Sequence, residues 1–145
     1  MSGLAALIRF AERRTEGALI AWQRLKAQCE EANQKLLLLQ QHGKNYRDLM
    51  NAGLQHGMSG NSTMAHLGFI GQIEAVVDRQ QSEIVNLEEA CERQWHELVE
   101  ARRDQRMYEI LSERAATREA ELASLRDQTR MDELLQRTAS SPSAF

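Results

Sequence analysis

From Leu4 to Met50 the sequence repeats an apolar or aromatic residue at alternating steps of four and three, running from Leu4, Ile8 and Ala11 through Trp22 and Cys29 to Tyr46 and Met50. Twelve of the fourteen positions on this stripe are apolar or aromatic, and Thr15 and Gly43 are the exceptions. A repeat averaging 3.5 residues and held for six heptads keeps one stripe of a slightly underwound helix facing a partner helix. The stripe therefore predicts one half of a coiled coil, and the partner helix must be found elsewhere.

Composition agrees with long helices and little strand. Aromatic residues are 5% of the 145-residue chain, and proline occurs once, at Pro142. Ala, Leu, Glu, Gln and Arg dominate, and these are strong helix formers. The net charge is -3, which gives no electrostatic reason to expect nucleic acid as a partner. Charge is unevenly distributed. Residues 69–100 carry two basic and eight acidic side chains, whereas residues 1–56 carry eight basic and five acidic. Segments of opposite sign laid side by side attract weakly.

The first helix is expected over residues 1–55 and a glycine-rich loop over 56–62. Six of the eight glycines lie between Gly43 and Gly71, and the polar stretch HGMSGNST interrupts the helical pattern. Asn61, Ser62 or Thr63 can each cap the next helix. That helix is expected over residues 63–137, with a seam through Ile70, Ile73, Val77, Gln80, Ile84, Leu87, Cys91, Gln94 or Trp95, and Leu98. The pattern loosens over ARRDQRMY, predicting a stutter near residues 100–107. Residues 138–145, rich in serine, read as a disordered tail.

These readings give an all-α fold, two long helices in an antiparallel coiled-coil hairpin with the second helix longer. A loop centred near residue 60 places Cys29 level with Cys91, Leu25 with Trp95, and Trp22 with Leu98. It also leaves about twenty residues of the second helix without an intramolecular partner, an overhang of about 30 Å. That overhang carries Leu122, Leu125, Met131, Leu134 and Leu135, and an isolated helical end showing a leucine stripe reads as a docking element. Near the loop, the run from Leu36 to Leu39 covers more of its helix than one seam can bury. With Phe69 it marks a second contact zone, between residues 37–50 and 69–83.

Nothing in the sequence points to catalysis. GMSGNS lacks the glycine spacing of a nucleophile elbow, and His42, His56, His66 and His96 show no paired metal spacing. Asn61-Ser62-Thr63 matches a glycosylation sequon by chance in a chain with no expected secretion signal. The carboxylate pairs Glu30-Glu31 and Glu88-Glu89 read as solvated helix surface. A non-enzymatic protein is expected, with no cofactor, no metal and no small-molecule substrate. No apolar run approaches the roughly 20 residues that span a bilayer. With two cysteines on stripe positions, a soluble cytosolic protein is expected.

The segments NYRDLMN, FIGQIEAVV and MDELLQR, taken in this order and spacing, resemble the flagellar export protein FliJ family over essentially the whole chain. The ending, MDE followed by an apolar residue and a QR pair, is the most specific of the three. The resemblance implies a soluble stalk of the flagellar type III export apparatus, similar to the central stalk of rotary ATPases. Its implied partners are the hexameric export ATPase, a membrane-embedded export-gate protein and export chaperones. Its implied location is the cytoplasm, peripheral to the inner membrane. Matched position by position, the gate-facing residues are Leu39, Tyr46, Phe69, Ile73 and Val76. His42 stands where the family has a tyrosine, and Gln80 where it has a histidine. A virulence-type secretion stalk and a cytosolic coiled-coil scaffold are the alternatives.

Overall fold

The computed structural model describes residues 2–140. Two helices account for nearly all of them, α1 over Ser2–Gln55 and α2 over Gly60–Ser140. Among the described residues there is no strand. All fourteen stripe positions of α1 are buried or half-buried, Thr15 and Gly43 included. The heptad repeat therefore sets the burial pattern even where the side chain is polar or absent. Thr15 satisfies its hydroxyl locally, donating to the Ala11 carbonyl at 2.9 Å.

The described residues form two compact units, one combining residues 2–15 with 101–140 and the other spanning residues 16–100. In the second unit, the two helices run antiparallel, and their register is fixed by side chains reaching across the seam. The Gln80 amide donates to the Ala32 carbonyl at 2.9 Å and the Gln94 amide to the Ala18 carbonyl at 3.5 Å. Ala18 and Ala32 are themselves buried. A methyl side chain at each position leaves the space that a long amide needs to reach backbone. Arg47 pairs with Glu74 at 2.6 Å on the exposed flank, a contact worth about 0.2–1 kcal/mol.

In the first unit Ala11 and Ala101 are both buried, and Arg14 pairs with Asp104 at 2.7 Å. The expected stutter near residues 100–107 is not there. Leu98, Ala101, Gln105, Tyr108, Ser112 and Ala115 continue the three-four alternation and are all buried or half-buried. Polar residues in the seam had the look of a break. They are tolerated because a glutamine turns its amide to a hydrogen-bond partner, as Gln105 does to Glu109 at 3.1 Å.

The turn is shorter than its composition suggests, because α2 takes in Gly60, Asn61 and Ser62. Ser59 caps the helix, its hydroxyl accepting from the Ser62 amide at 3.3 Å. At the end of α1, the Met58 amide donates to the Gly53 carbonyl at 3.1 Å and the Gly57 amide to the Leu54 carbonyl at 3.2 Å. Gly57 has φ of 87°. Together these form a Schellman motif with glycine at the left-handed position. Its usual hydrophobic contact is made by Met58 lying over Gly53, where an added Cβ would collide with Met58 Cε.

The turn is thus centred between Gly57 and Met58, and the aromatic pairing shifts with it. Trp22 meets Trp95, with ring centroids 5.0 Å apart, where a loop centred at residue 60 set Trp22 against Leu98. At the other end α2 continues through Thr138, Ala139 and Ser140, which the sequence assigns to a tail. Thr138 and Ser140 turn their hydroxyls back to the Leu134 and Arg137 carbonyls, at 2.8 and 3.4 Å. Residues 141–145 lie outside the described residues.

Candidate docking surfaces

Gly43 occupies a seam position, and a Cβ built there would lie 3.2 Å from Ile73 Cγ2. Glycine therefore lets α1 and α2 approach closely at this layer. Around it, Leu39, Tyr46, Phe69, Ile73 and Val76 line one groove of about 480 Å³, together with His42 and Gln72. The five residues expected to face a partner are thus brought together. Phe69 remains 46% exposed although its ring packs 4.6 Å from that of Tyr46. The Tyr46 hydroxyl is hydrogen-bonded to His66 Nδ1, and the two rings lie 5.4 Å apart.

This arrangement orients Tyr46 from both sides, by a hydrogen bond at its tip and an aromatic face along its body. A tilted aromatic pair contributes about 0.5–1.5 kcal/mol beyond the area it buries. The groove is therefore held in shape while its outer wall stays accessible. The role of His66 was not legible from spacing. The signal lay in the register, since His66 stands across from Tyr46 as Gln80 stands across from Ala32.

The second surface has a different origin. Beyond Ala115 every described residue of α2 is exposed. Leu122, Leu125, Met131, Leu134 and Leu135 are 45–61% exposed. They do not form one stripe. At about 100° per residue, Met131 lies about 180° around the helix from Leu122. Leu122 and Leu125 share one side, where they border a shallow groove with Arg126 and Thr129. Met131, Leu134 and Leu135 occupy the other side. Apolar side chains on both sides of one helix suit a partner that encloses it.

Among the described residues, no cluster of three or more His, Cys, Asp or Glu side chains could hold a metal ion. Cys29 and Cys91 are free thiols that interact across the seam. Burial first, and then Cys91 and Glu88, push the Cys29 thiol up, away from the reactive thiolate. Among the described residues, no helix is long and apolar enough to cross a membrane.

The model of the family described as flagellar FliJ protein matches residues 1–143. The chain belongs to the flagellar FliJ family. A flagellar FliJ protein of Escherichia coli (strain K12) is 24% identical over 136 residues, covering 94% of this chain and 92% of the relative. No solved structure matches the chain. For a FliJ family member, the whole-chain match takes in both helices, the loop-end groove and the overhang, so both surfaces belong to the part of the chain that the family shares.

Proposed function

We propose that this FliJ family protein is a non-enzymatic part of the flagellar type III export apparatus, a coiled-coil stalk that links the export ATPase hexamer to the export-gate membrane protein and assists export chaperones. The overhang is the ATPase-binding element, through Leu122, Leu125, Met131, Leu134 and Leu135. The loop-end groove is the gate-binding element, through Leu39, Tyr46, Phe69, Ile73 and Val76. The protein works in the cytoplasm, against the cytoplasmic face of the membrane.

The observation that carries the reading is the overhang, whose apolar residues lie on opposite sides of a helix whose described residues beyond Ala115 are all exposed. Burying the exposed half of each side chain contributes roughly 1 kcal/mol at about 25 cal/mol per Å². Five of them supply on the order of 5 kcal/mol toward binding, before the cost of association. A ring can reach both sides of such a helix, whereas a partner lying alongside reaches one. The stalk then acts by binding one state of the ring better than another, shifting its populations.

The test is binding to the export ATPase and the ATPase rate with and without the chain, using the triple variant Leu122→Ala, Leu125→Ala, Leu134→Ala. Weaker binding with unchanged melting supports the overhang as the docking element. Equal loss of both would make the leucines part of the core and end the assignment. A tight dimer in light scattering would instead favour a self-associating scaffold.

A further inference from the structure

Val85, Glu88, Glu92 and Trp95 follow one another along α2 at steps of three, four and three, so they share one face of that helix. The face runs beside the seam and belongs to neither surface described above. Val85 is 51% exposed and Trp95 is 42% exposed, although Trp95 packs on Trp22. Glu88, Glu92 and Trp95 border an open groove of about 410 Å³ whose floor is formed by Trp22, Cys29 and Cys91. The face therefore reads apolar, acidic, acidic, aromatic.

Both ionisable side chains on the face itself, Glu88 and Glu92, are carboxylates. The segment from residue 69 to residue 100 carries eight acidic and two basic side chains. Glu92 lies 3.9 Å from His96, a contact that supplies a cation only when His96 is protonated. The aromatic pair already attracts one cation from within the chain, since Lys26 Nζ sits 5.0 Å from the Trp22 ring centroid. Trp95 offers an exposed ring of the same kind, with two carboxylates on the adjacent turns.

We propose that this face docks a basic amphipathic helix from a partner protein, seating two Lys or Arg side chains against Glu88 and Glu92 and an apolar residue at each end, on Val85 and on Trp95. The complementary pattern is apolar, basic, basic, apolar at steps of three, four and three. Because that spacing is the same read in either direction, the partner helix can lie parallel or antiparallel to α2. Electrostatic attraction speeds the encounter and selects against acidic helices, while the exposed valine and tryptophan supply the buried area.

The experiment uses the full chain and two synthetic peptides without tryptophan, one carrying leucines and lysines in this spacing and a twin with glutamates replacing the lysines. Trp22 and Trp95 are the only tryptophans, so intrinsic fluorescence reports on the groove. The lysine peptide is expected to bind saturably and to weaken with salt. Its affinity should fall about tenfold or more for Glu88→Lys with Glu92→Lys, while the glutamate twin gains affinity for that variant. Glu88→Gln with Glu92→Gln, checked by circular dichroism, gives an intermediate loss without introducing new charge. Equal binding of both peptides, or no saturable change with the lysine peptide, overturns the proposal. So does a wild-type dimer that the charge reversal dissociates, which would assign the face to a second copy.

Discussion

The Gln80 side-chain amide donates a 2.9 Å hydrogen bond to the Ala32 carbonyl oxygen from inside the helix pair, and the Gln94 amide reaches Ala18 in the same way two heptads along. Both glutamines face an alanine, so each polar group costs little to bury and specifies one alignment of α1 against α2. Gln80→Ala removes a buried hydrogen bond and leaves a void, and should destabilise the chain by about 1–2 kcal/mol. Gln80→Leu should stay within about 1 kcal/mol of wild type, because an apolar replacement leaves no unpaired amide. Urea unfolding of the two variants measures this, and equal losses would contradict it, since restoring the volume would then recover nothing and the hydrogen bond would carry the whole effect.

The turn offers a second measurement. Gly57 at φ of 87° requires the left-handed region, so Gly57→Ala should cost about 1 kcal/mol. Gly53→Ala meets a lesser obstacle, the Met58 Cε, which as the end of a flexible side chain can move aside at little cost. Met58→Ala should remove that small cost and leave the first unchanged. Thermal melts of the single and double variants distinguish the two.

The thiols carry a pH dependence. Cys29 is raised by burial, then by Cys91 and Glu88, so the folded chain holds this proton more tightly than the unfolded chain does. The stability it contributes is present below the ordinary thiol value and is lost as pH rises through the raised folded value. Alkylation at a pH of about 8 should be slower at Cys29 in the folded chain than in urea, because the thiolate is the reactive form. Equal rates would show that the site opens freely. Mild oxidation should join Cys29 to Cys91 within one chain, subject to the strict geometry of a disulfide.

Much of the fold was legible because a heptad is a geometric statement. All fourteen seam positions of α1 carry the burial that the spacing required, and even Gly43 obeyed it. The sequence was least informative where polarity and position disagreed. Gln105 read as part of a break in α2, yet the seam runs through it. Turn length was misread for a related reason. Gly60, Asn61 and Ser62 have loop-like composition, but Ser59 supplies the cap that starts α2 before them. That small change of centre moved Trp22 from Leu98 to Trp95.

The two surfaces were legible to different degrees. Excess apolarity pointed to both Phe69 and the overhang, but only the structure gathers Leu39, Tyr46, Phe69, Ile73 and Val76 into one groove. Leucine positions alone suggested a single stripe on the overhang, whereas the helix turns Met131 away from Leu122.

Phe69→Ala separates the two proposed roles. Phe69 is 46% exposed and packs on Tyr46, so its loss should weaken binding to the export-gate protein about tenfold or more while lowering stability by about 1 kcal/mol. ATPase stimulation should be unchanged. Unaltered gate binding removes Phe69 from the site, and a parallel loss of ATPase stimulation makes the change a general one.

The most direct test of a linking stalk is whether one chain holds both partners at once. Sedimentation of the chain with the export ATPase and the soluble part of the export-gate protein should show a ternary complex. Phe69→Ala should release only the gate protein, and the Leu122, Leu125, Leu134 triple alanine variant only the ATPase. Mutually exclusive binding, with either partner displacing the other, would contradict the account.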